Sequence, residues 1–134
     1  MKFNVAVKGI IRKGPKILVV KRSDSDDHKP GVWETVGGGM DEKTTPQKAL
    51  EKEIKEEVNL KVKIGDPFNV FFFKKDTGEY KVGITFICNY VSGKVELSHE
   101  HSDYKWIKPE EFNELKSLPS LRKEISNYSK KYEK

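Results

Sequence analysis

Hydrophobic and polar positions alternate along this chain with two distinct periods. Over Asn4–Ile11, Val5, Val7, Gly9 and Ile11 share one side, the period-two signature of a strand. Arg12-Lys13-Gly14-Pro15 reads as a turn, since Gly and Pro punctuate regular structure, and Lys16–Arg22 as a second strand, so the pair predicts a hairpin. A polar loop, 23–31, leads to a short strand, Val32–Val36, centred on Trp33. The triple glycine Gly37–Gly39 then predicts a break in all regular structure. At Pro46 the period changes. With about 100° per residue, Leu50, Ile54 and Val58 fall within a stripe of roughly 80°, the core face of a helix. Thr45 serves as its N-cap, Pro46 as its first residue and Asn59 as a left-handed terminator.

Strands follow near Lys61–Ile64, Asn69–Lys74, Glu79–Val91 and Asp103–Ile107, with a hairpin turn at Lys75–Gly78. Pro109–Leu115 predicts a short helix, and Ser120–Tyr132 an amphipathic one that buries Leu121, Ile125 and Tyr128. Strands, helix, strands, helix is the order of an α+β fold, a mixed sheet packed by helices, here as a single domain over 1–134.

Composition narrows the function classes. The longest apolar runs, Ile17–Val20 and Val70–Phe73, fall far short of the roughly 20 residues of a membrane helix. The N-terminus lacks a signal-peptide core, so the expectation is a cytoplasmic protein with no membrane partner. A single cysteine, Cys88, excludes an internal disulfide framework and a Cys-based zinc site. The net charge of +5 suits an anionic partner. Its distribution says more: residues 38–60 hold six acidic side chains against four basic ones, an acidic island in a basic chain.

That island centres on the helix. Lys48, Glu51, Lys52 and Lys55 face away from the apolar stripe, while Glu53, Glu56 and Glu57 flank it as mutual neighbours. A solvated Glu/Lys face accounts for Glu51 with Lys55 but poorly for the three flanking acids. Carboxylates within roughly 6 Å repel by about 3 kcal/mol per pair at an effective dielectric near 20. A divalent cation removes that repulsion, and hard oxygen ligands select Mg²⁺ or Mn²⁺. The glycine run just before the helix offers backbone groups to a ligand or metal. No P-loop is present, because Pro15 stands where its lysine is needed.

The segment Gly38–Leu60 resembles the signature of the Nudix hydrolases, the MutT-like family, G-x5-E-x7-R-E-U-x-E-E-x-G-U with U a bulky aliphatic. Gly38, Glu53, Ile54, Glu56, Glu57 and Leu60 match it; Thr44, Lys52 and Asn59 replace its Glu, Arg and Gly. The lead-in Gly31–Gly38 and the late segment Glu100–Glu111 are also similar to the family's. The resemblance implies an α/β/α sandwich and a metal-dependent pyrophosphohydrolase. Such an enzyme cleaves a nucleoside diphosphate linked to another group, foremost a (d)NTP or an oxidised nucleotide. It further implies Glu53, Glu56 and Glu57 as catalytic metal ligands, joined by a Gly37 or Gly38 carbonyl. Glu100 is the candidate loop base, and Arg22, Trp33, Gly38 and Gly39 are the candidate substrate contacts.

Thr44 and Lys52 motivate a second reading, a nucleotide-binding Nudix module with weak or no turnover; an ADP-ribose or dinucleoside polyphosphate hydrolase is another. The net charge, with aromatics beside lysines at Phe71–Lys75, motivates a nucleic-acid binder, which the acidic island opposes by repelling a phosphate backbone. The expected assembly is a monomer or homodimer. His99 and His101 could touch substrate, but two loop histidines alone justify no catalytic role.

Overall fold

The computed structural model describes residues 3–24, 29–40, 43–75 and 77–132. Much of the 23–31 loop, Asp41, Glu42 and Asp76 of the 75–78 turn lie outside them. The elements are β1 Phe3–Lys13, β2 Lys16–Arg22, β3 Trp33–Glu34, β4 Val36–Gly39, α1 Pro46–Val58, β5 Lys61–Lys74, β6 Tyr80–Ser92, β7 His101–Ile107, a 3-10 helix at Pro109–Glu114, and α2 Pro119–Tyr132. One mixed sheet runs β3-β2-β1-β6-β5, with β4 added on β1 and β7 on β2. The β1–β6 pair is parallel, from Phe3↔Tyr80 to Arg12↔Asn89. Antiparallel pairs make up the rest.

Alternation divides the strands between two cores. Val7, Ile11, Leu18, Val20, Phe86 and Cys88 pack with Leu50, Ile54 and Val58 of α1. Ile10, Ile17, Val19, Trp33 and Ile87 pack on the other face with Phe112, Ile125 and Tyr128. The sheet is therefore covered by helices on both sides, the α/β/α sandwich of the sequence reading. Helix α1 begins and ends as its sequence requires. The Thr45 side chain accepts from the Lys48 amide, and Asn59 closes the helix at φ 58°, ψ 36°. Among the described residues no helix is long and apolar enough to cross a membrane.

Three expectations need correction. The triple glycine does not end regular structure: Gly37–Gly39 belong to β4 and pair with Lys8, Val7 and Ala6. Here close approach overrides propensity, because a Cβ on Gly37 would lie 2.1 Å from the Val7 carbonyl oxygen. The strands expected at 61–64 and 69–74 are one strand, β5, whose register shifts between Ile64 and Pro67 and again before Asn69. A bulge around Pro67 carries the strand past a residue with no amide to donate. The Pro109 helix is 3-10 in type.

Candidate active site

The site forms where α1, β4 and the turn into β7 meet. Gly38 pairs with Val7 and, lacking a side chain, admits the Glu53 carboxylate; a Cβ there would stand 3.1 Å from Glu53 Oε2. Glu57, one turn further along α1, is buried. The backbone after β6 is tied to the same helix end, with Glu96 and Ser98 amides donating to the Val58 and Glu57 carbonyls. That tether delivers Glu100 and His101. The Ser23 amide donates to the Glu100 carbonyl, and His101 pairs with Arg22 beside a β2 bulge.

One ligand atom each from Glu57, Glu100 and His101 gathers within 4.8 Å of the others. Glu100 is exposed and lines an open cleft of about 370 Å³ with Glu53, Gly37–Met40, Asn4, Val5 and Lys81. Burial, first, raises the Glu57 pKa to about 9; Lys8 opposes this, while the Glu53 and Glu100 charges add to it. Glu57 Oε2 and His101 Nδ1 are both buried without a hydrogen-bond partner. Orphaned polar atoms beside two further carboxylates are what a divalent cation would satisfy, so the residues fit such an ion.

Behind this group lies a half-buried charge network. Glu34 Oε1 accepts from Arg22 Nε at 3.2 Å and stands 3.6 Å from Lys8 Nζ; its Oε2 lies 2.9 Å from His101 Nε2. Burial alone would raise the Glu34 pKa. Lys8, the His101 hydrogen bond and Arg22 outweigh it and hold the group at about 2. Lys8 also donates to the Thr35 carbonyl.

The sequence-predicted residues divide accordingly. Glu53, Glu57, Glu100, Gly37, Gly38 and Gly39 converge on the cleft or the buried cluster. Glu56 is exposed and stands 3.9 Å from Lys52 across one turn of the helix surface. Arg22 is engaged with Glu34 and not among the residues lining the cleft. Trp33 packs in the α2-side core, with the Lys105 ammonium over its ring at 5.3 Å. Sequence reasoning missed Glu34 and Lys8 and gave His101 no catalytic role. Glu34 and His101 both sit inside the segments that carried the resemblance, but nothing in one dimension says that they touch.

The chain is similar to known proteins over most of its length. Residues 2–128 match the model of the NUDIX domain. A nucleoside triphosphatase, NudI of Escherichia coli, is 26% identical over 121 residues, covering 83% of this chain and 86% of that protein. An ADP-ribose pyrophosphatase of Methanocaldococcus jannaschii is 31% identical over 118 residues, covering 87% of this chain and 65% of that one. The crystal structure of a MutT protein from Methanosarcina mazei Go1 superposes with a TM-score of 0.84 at 25% identity, over 98% of this chain and 96% of the other.

Proposed function

The chain belongs to the Nudix hydrolase family, and from that premise we propose that it is a divalent-metal-dependent nucleoside triphosphate pyrophosphohydrolase, acting on a (d)NTP or an oxidised nucleotide. The observation that carries this reading is Glu57, a buried carboxyl with an unpartnered oxygen, set between Glu53 on Gly38 and Glu100 at the cleft. The similarity to NudI supports a triphosphate; the similarity to an ADP-ribose pyrophosphatase keeps that substrate in the test.

In this reading Glu53 and Glu57, with the Gly37 or Gly38 carbonyl, would hold Mg²⁺ or Mn²⁺, and Glu56, exposed on the same helix, would complete the ligand set that the family resemblance implies. When bound, the metal neutralises charge that develops on the phosphoryl oxygens and orients the attacking water. The chain's own residues do the rest. Glu100, exposed at the cleft, accepts the water's proton. The side-chain-free Gly37–Gly39 strand lets the phosphate chain lie close to the backbone. Lys8, Arg22 and Glu34 hold the floor of the site rigid from behind.

The test is a panel of dNTPs, 8-oxo-dGTP, ADP-ribose and diadenosine polyphosphates, each with Mg²⁺ and with Mn²⁺. Metal-dependent release of pyrophosphate from triphosphates supports the proposal. Its abolition in Glu56→Gln and Glu57→Gln, with the fold intact, supports the ligand set. Binding without turnover across the whole panel would favour the nucleotide-binding module suggested by Thr44 and Lys52.

A further inference from the structure

The buried cluster holds one donor that is not oxygen. His101 Nδ1 has no hydrogen-bond partner, stands 3.8 Å from Glu57 Oε1, and belongs to a side chain only 2% exposed. Its other nitrogen, Nε2, lies 2.9 Å from Glu34 Oε2. Glu34 is paired with Arg22 at 3.2 Å and Lys8 at 3.6 Å, so it is a carboxylate and can only accept. Nε2 therefore carries a proton, and in the neutral ring Nδ1 presents a bare lone pair within the group it forms with Glu57 and Glu100. A buried lone pair with nothing to accept from is costly. A ring fixed by a carboxylate on one nitrogen, with the other aimed into a group of acids, is the arrangement of a metal-bound histidine.

We propose that His101 Nδ1 is itself a ligand of the dication, beside Glu57 and facing the base Glu100, so that the centre holds one nitrogen among its oxygens. The inference rests on the reading of this site as a metal centre and specifies its chemistry. Imidazole suits first-row transition ions better than the harder Mg²⁺, and the preference grows along the Irving–Williams series, so the centre binds Mn²⁺ more tightly than Mg²⁺ and Co²⁺ more tightly still. Glu34 is then a positioning residue, fixing the tautomer through Nε2.

Pulsed electron paramagnetic resonance of the full chain loaded with Mn²⁺ tests this directly. The wild-type spectrum is expected to carry the ¹⁴N modulation of a directly bound imidazole, replaced by the ¹⁵N pattern after selective ¹⁵N-histidine labelling. The chain has three histidines, His28, His99 and His101. The coupling should survive His28→Gln and His99→Gln and vanish in His101→Gln. Mn²⁺ affinity of His101→Gln should fall about tenfold or more, with a smaller loss for Mg²⁺. Failure to bind Mn²⁺, bound Mn²⁺ without nitrogen coupling, or coupling that persists in His101→Gln overturns the assignment. Where the His101 variant fails to fold, coupling that survives in the His28→Gln, His99→Gln double variant still assigns the nitrogen to His101, and coupling lost there overturns the assignment. Hydrolysis is scored separately. No turnover of any nucleotide with any dication defeats the functional reading but leaves a nitrogen-coupled centre standing; turnover without nitrogen coupling defeats only the His101 assignment.

Discussion

Glu57, buried, and Glu34, half-buried, are joined through the His101 ring, and their surroundings drive them in opposite directions. Glu57 is held near a pKa of 9. A raised value means that the metal-free protein carries this group's stabilisation below the ordinary value of 4.5 and loses it as pH climbs toward 9. At pH 7 that loss is about 3 kcal/mol. Glu57→Gln should therefore melt higher than wild type in chelator near pH 8, with the gap closing below pH 5. Loading the wild type with Mg²⁺ at pH 7 should release close to one proton, measured as the buffer dependence of the binding enthalpy, and the variant should release none from this position. Glu34 shows the opposite sign. Its pKa of about 2 gives stability that is present above 4.5 and lost as pH falls toward 2. Glu34→Gln should cost about 2–3 kcal/mol in urea unfolding at pH 7, since it removes the charge that Lys8, Arg22 and the His101 ring share, and its deficit should shrink at pH 2.5.

At the scale of the element, the lesson lies in the three consecutive glycines. Their composition predicts a break, yet β4 exists because each glycine meets different surroundings. A Cβ on Gly37 would strike the Val7 backbone, one on Gly38 would press on the Glu53 carboxylate, and one on Gly39 would meet nothing closer than Lys81 Nζ at 3.7 Å. An alanine series should separate these roles. Gly37→Ala should destabilise by about 3 kcal/mol or more, because backbone cannot yield as a side chain can. Gly38→Ala should fold and lose metal affinity, as Glu53 is displaced. Gly39→Ala should be near neutral in thermal melts and metal titrations; a severe loss there would contradict the geometry. Helix α1, by contrast, was legible from end to end. Thr45, Pro46, the Leu50–Ile54–Val58 stripe and Asn59 all act locally, within a turn or two of where they stand. The position of the Glu57 side chain was not legible, because α1 alone leaves it beside the apolar stripe. What buries it is the segment from Ser98 to His101, some forty residues later.

For the whole molecule the same division holds. Two cores on two faces follow from alternation in β1, β2 and β6, so a mixed sheet packed by helices could be read from periodicity, while the sandwich and the box residues came from the resemblance to the family signature. The Glu34–His101–Glu57 chain could not, because it joins β3, β7 and α1 through contacts that only the folded sheet creates. That chain ties β3, β7 and α1 together, so loading the metal centre should stabilise the entire domain. Cys88 offers a way to measure this. It is the single cysteine, fully buried between β6 and α1, and burial pushes its thiol up to about 12. A thiol so placed reacts only when the core opens. Ligand at a hundred times its dissociation constant adds about 2.7 kcal/mol to the folded state, which slows opening-limited modification roughly a hundredfold when closing outpaces reaction. Labelling of Cys88 by a soluble disulfide reagent should therefore slow about a hundredfold at saturating Mn²⁺ in the wild type and hardly at all in Glu57→Gln. Equal slowing in both would place the stabilising metal away from the buried acid.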